Sequence, residues 1–86
     1  MWKHNKLSLK VVEITQKQVE EWSALLPVVD DVTISQWRGD VVRAAVETGW
    51  FEGDPLDVDN MSPADVVWLS DKIAEHYKEI TEVSPS

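Results

Sequence analysis

Apolar residues recur at helical spacing in three stretches of this chain and alternate in a fourth. Val19, Trp22 and Leu26 share one stripe over residues 16–26, and Trp37, Val41, Ala44, Ala45 and Thr48 share another over 34–48. Val66, Leu69, Ile73, Tyr77 and Ile80 share a third over 63–82. Residues 6–14 alternate at Leu7, Leu9 and Val11 until the doublet Val11-Val12 breaks the period, which predicts one strand. A lone strand leaves its edges unpaired, so it must pair with residues 28–32, pair with another chain, or lie as an arm across the helices. The pattern predicts a mainly α fold, a small three-helix domain with an N-terminal β-strand or extended arm. Residues 1–86 form a single domain on this reading, with 1–5 and 84–86 flexible.

The polar residues that open the three stretches repeat one device. An apolar residue precedes Ser or Thr, Gln or Asp follows three positions on, and another apolar residue comes next: Ile14-Thr15…Gln18-Val19, Val32-Thr33…Gln36-Trp37 and Met61-Ser62…Asp65-Val66. The hydroxyl accepts from a free first-turn N–H, the third-position side chain reaches back, and the apolar pair closes over the turn. Stops are equally legible. Pro27 ends the first helix, and Gly49 supplies the left-handed cap of the second with Trp50 as its apolar contact. Pro63 sits in the first turn of the third, where its missing N–H costs nothing. Residues 49–60 join helices two and three as an ordered loop, because Trp50, Phe51, Leu56, Val58 and Met61 give it side chains to bury.

Charge changes the picture more than composition does. The chain carries −8, but Lys3, Lys6, Lys10 and Lys17 against Glu13 give the first eighteen residues +3, leaving −11 on the rest. No basic residue lies between Arg43 and Lys72, where Glu47, Glu52, Asp54, Asp57, Asp59, Asp65 and Asp71 accumulate. Such a field repels phosphate backbones, so no direct nucleic-acid partner is expected, and it favours basic protein surfaces. With no cysteine there is no disulfide or thiolate zinc site. The basic start is followed by no apolar signal segment, and no stretch reaches the apolar length of a membrane span. A soluble, unexported, cytoplasmic protein without a membrane partner is expected.

Candidate chemistry is sparse. Nucleophilic catalysis needs a base near an activated Ser, Cys or Lys, and the histidines, His4 and His76, have no such motif around them. An EF-hand loop starting at Asp57 puts Met61 at a ligand position and Trp68 where a bidentate Glu belongs. The glycines lack phosphate-loop spacing. No enzyme activity, cofactor or metal is expected. Five tryptophans remain to be placed. Trp22, Trp37 and Trp50 fit helix stripes or a cap contact, whereas Trp68 falls about 200° from Val66, among Lys72, Glu75, Glu79 and Glu82. Either a partner covers that ring, making Trp68, Val67, Ala64 and Glu75 a protein-binding face, or the N-terminal arm or the loop does.

The run from Ala44 through Glu47-Thr48-Gly49-Trp50-Phe51-Glu52-Gly53-Asp54-Pro55, continuing from Met61-Ser62-Pro63-Ala64-Asp65 to Leu69, resembles small acidic phage and prophage tail assembly chaperones. The resemblance covers the C-terminal half. It implies binding of tape-measure or tail-tube proteins during tail assembly, in the host cytoplasm, with no catalysis or cofactor. Function is therefore expected to be that of a non-catalytic protein-binding module, with self-association through the strand. The alternative is an acidic mimic of nucleic acid that inhibits a DNA- or RNA-binding protein. Salt separates the two, since mimicry weakens steeply as salt rises and an apolar contact does not.

Overall fold

The computed structural model describes residues 1–82; the expected fraying beyond Val83 and the flexible 84–86 lie outside them. The order is β1 (Trp2–His4), β2 (Leu7–Leu9), α1 (Gln16–Leu25), α2 (Ile34–Glu47) and α3 (Pro63–Thr81), with 3-10 turns at Val29–Asp31 and Val58–Asn60. The mainly α, three-helix architecture with an N-terminal β element is as the pattern predicts. No helix among the described residues is long and apolar enough to cross a membrane.

All three helix starts form at the expected residues. Thr15 accepts from the Gln18 N–H while the Gln18 side chain accepts from the Thr15 N–H, so this box is complete. Thr33 and Ser62 accept from the N–H groups of Gln36 and Asp65, but the expected return bond from the third-position side chain forms at neither, and the Asp65 carboxylate turns to His4 instead. Leu26 is already extended, as a residue before proline must be. At the end of α2, Gly49 takes φ +79°, the Gly49 N–H reaches the Val46 carbonyl, and the Trp50 N–H reaches that of Ala45. That double closure turns the chain back and drives the Trp50 ring fully into the core. Gln18 Nε2 completes the junction by donating to the carbonyls of Thr48 and Gly49.

Helix α2 is the centre of the molecule, packed against both α1 and α3. Its buried face is therefore wider than one stripe: Val42 and Gly39 are buried along with Val41, Ala44 and Ala45. The other core members are Leu9, Trp22, Trp50, Val58, Leu69 and Ile73. Trp22 packs against Trp50 and Tyr77 and donates its indole N–H to the Val41 carbonyl, tying α1 to α2. Ile80, expected in the buried stripe of α3, is 40% exposed.

The N-terminus departs most from expectation. The predicted single strand is half of an antiparallel hairpin, Trp2 opposite Leu9 and His4 opposite Leu7, turning at Asn5-Lys6. Asn5 takes φ 53°, a conformation that Asn tolerates better than most side chains. Residues 2–4, expected to be flexible, supply the missing edge. The chain beyond β2 then pairs with residues 50–52, through Val12 N–H to the Trp50 carbonyl, Glu52 N–H to the Lys10 carbonyl, and a bridge between Val11 and Phe51. Residues 29–31 form a 3-10 turn and take no part in this pairing. The strand thus pairs within its own chain, which removes the reason for expecting self-association through it.

Candidate functional site

Helix α3 presents two non-core faces, and neighbouring residues, Trp68 and Val67, mark them. On the Trp68 side the hairpin lies across the helix. Strand alternation puts Trp2, His4, Leu7 and Leu9 on one surface of the hairpin and leaves Lys3 and Ser8 pointing outward, which fits their burial. A two-stranded hairpin is marginal alone, so its apolar surface has to rest on something. It rests on α3 and the 50–52 segment. The His4 imidazole stacks on the Trp68 indole at 4.9 Å and 15°, and Trp2 meets His76 and Phe51 edge-on at 5.5 and 5.8 Å.

A polar contact fixes this docking. His4 Nδ1 lies 2.7 Å from Asp65 Oδ1, with both side chains partly buried, and the imidazole N–H donates to the carboxylate. The hydrogen bond from His4 holds the Asp65 carboxyl below its ordinary value, with the Ser62 hydroxyl as the next cause. Asp65 therefore serves two devices at once, since its backbone N–H belongs to the Ser62 cap while its side chain clasps the hairpin. Of the two covers open to Trp68 in the sequence, the structure shows the intramolecular one: the ring is half-buried beneath His4.

The Val67 side is open. Val67 is 42% exposed and borders a cleft of about 220 Å³ between α2 and the start of α3, floored by Val58, Met61 and Val66, with Gly39 on the α2 wall. Arg38 bridges the helices here. Its Nη1 donates to Asp71 Oδ1 at 2.7 Å, to Ser70 Oγ at 2.8 Å and to the Val67 carbonyl at 3.3 Å. Ser70, buried and polar, is satisfied by that contact and by donating to the same carbonyl. Arg43 closes the next turn, donating to Asp59 and Asp40 at 2.7 and 3.1 Å. Its guanidinium is held above its usual range, chiefly by the Asp59 hydrogen bond. Bridges at both levels fix the separation of the cleft walls, so the apolar floor is preformed.

Ala64 and Glu75 are exposed on α3, on the arc of the helix between Val67 and Trp68 and nearer to Trp68. The structure thus brings Ala64, Val67 and Glu75 to an open surface and places Trp68 at its covered edge. The acidic 54–60 segment forms a turn in which Asn60 Nδ2 donates to Asp57, and among the described residues no group of three or more His, Cys, Asp or Glu is arranged to hold a metal ion. His76 packs between the rings of Trp2 and Trp50. Sequence reasoning missed His4, Arg38 and the cleft itself. The spacing of Trp2 and His4 against Leu7 and Leu9, with Asn5 between, carried the hairpin signal. Comparison with protein-family models, curated proteins and solved structures finds no match for this chain.

Proposed function

We propose that this chain is a non-catalytic protein-binding module that seats a partner on the cleft between α2 and α3, in the role of the phage tail assembly chaperones that its C-terminal half resembles. The observation that carries this reading is the exposed Val67 beside a preformed apolar floor of Val58, Met61 and Val66. Apolar area left in water next to a rigid concavity is what a partner side chain buries with least ordering cost. The acidic-mimic alternative is weakened by internal pairing. Asp40 and Asp59 are engaged by Arg43, Asp71 by Arg38, Asp65 by His4 and Glu52 by Lys10. A phosphate mimic needs its carboxylates free.

Affinity capture from the organism that encodes the chain, with mass spectrometry, tests the reading. The wild-type chain is expected to retain one protein in high salt, identified as a tail component, and Val67→Asp to lose it. Retention by Val67→Asp, or release of the partner by moderate salt alone, contradicts it.

A further inference from the structure

We infer that the partner segment is a basic amphipathic helix lying along α2, an inference that rests on the α2–α3 cleft being the binding site. The cleft does not end at Val67. A second hollow of about 220 Å³ adjoins it, sharing Val58 and Arg43 and adding Val46 and Leu56 to the apolar floor. Together the two follow α2 from Ser35 to Glu47. At 1.5 Å per residue that is about 18 Å, or roughly three turns of a helix laid alongside. A row of side chains at i, i+3, i+4 and i+7 covers about 10 Å and so fits within that length, which makes a helix in a groove the matching mode of recognition.

Charge selects among helices. Glu47, Asp57 and Asp59 line the groove with Arg38 and Arg43, and those arginines are themselves paired with Asp71 and Asp40 outside its lining. Glu47 and Asp57 pair with no base among the described residues, so the rim keeps negative charge that its arginines do not neutralise. An occupant with Lys or Arg flanking an apolar stripe meets both the floor and the rim; an acidic helix meets the floor against repulsion. That disfavours a second copy, whose own helices expose Glu20, Glu21, Glu75 and Glu79 and whose basic segment is the hairpin already docked on α3.

The test uses the full chain, labelled with nitrogen-15, and three synthetic 14-residue peptides. One carries leucines at i, i+3, i+4 and i+7 among lysines, the second is the same composition scrambled, and the third has glutamate for lysine. Saturable amide shifts at Val46, Val58, Val66 and Val67 are expected with the first peptide, with affinity at least tenfold above the scrambled one and no shifts with the acidic one. Val67→Asp should abolish them, and the near-isosteric Val67→Thr should weaken them in the same direction. Equal binding of the scrambled peptide shows bare charge attraction and overturns the proposal. So do shifts centred on Trp68 and the hairpin, or groove shifts that grow with protein concentration without peptide, the mark of a second copy. If the captured native partner depends on Val67 yet the basic helix does not bind, the partner chemistry is wrong and the site stands. If that partner ignores Val67→Asp, the site itself falls.

Discussion

Val67 and Trp68 follow one another on α3 and have opposite surroundings. Trp68 has the larger apolar surface and the more conspicuous position among charges, yet the hairpin Trp2–Leu9 of its own chain folds over it, stacked through His4 and tied through Asp65. Val67 is smaller and less conspicuous, and it keeps 42% of its surface exposed at the edge of the cleft. An out-of-phase aromatic reports that a helix has a second contact; it does not report whether that contact is internal. Burial shows that for Trp68 the contact is internal and that its neighbour Val67 is the more open of the two.

Breaking the helix that carries both faces has the largest effect. Leu69 is fully buried between them, and Leu69→Ala should cost roughly 2–5 kcal/mol in urea denaturation, as a large-to-small core change does. A midpoint left in place contradicts the assigned packing of α3. Next is Trp68→Ala. Because the ring is half-buried under His4, the change should cost about 2 kcal/mol, short of a fully buried ring. His4→Ala should cost less than that and should leave the α2–α3 side of the amide spectrum unmoved, since no contact of His4 reaches it.

Acid sharpens the same contrast. Asp65 has a lowered value in the folded chain against an ordinary 3.8. Its contribution is fully present above that ordinary value and is lost as pH falls through the lowered one. The hairpin resonances should therefore change in that acid window before those of Val58 and Met61, and Asp65→Asn should remove this step. The smallest effect on stability is expected from Val67→Asp, within about 0.5 kcal/mol, because the position already meets water.

Much of the helical frame could be read from the chain because its determinants are local. Thr15, Thr33, Ser62, Pro27, Pro63 and Gly49 act within one turn of themselves, and all six do what their neighbours in sequence imply. The wider burial of α2 could not be read from its stripe, since Val42 is covered only because α1 and α3 both pack on the same helix. Ile80 fails for the opposite reason, the end of α3 having too little packed against it. The hairpin was half legible. Leu7 and Leu9 announced a strand, but Asn5-Lys6 is a weaker turn signal than Asn-Gly, and the lysines and His4 made residues 1–6 look like a solvated start. The groove was illegible in principle, because its walls come from residues 35–47 and 56–67 and its rigidity from Arg38 and Arg43 reaching between them.

The most direct test of the open face against the covered one is the affinity of the captured partner for two variants, Val67→Asp and His4→Ala, measured by calorimetry beside the wild type. The account predicts that Val67→Asp weakens binding by about thirtyfold or more, the scale of a 2 kcal/mol hot spot, and that His4→Ala leaves it unchanged. Tighter binding by His4→Ala, with Val67→Asp at the wild-type value, would mean that the partner competes with the hairpin for Trp68, and would contradict it.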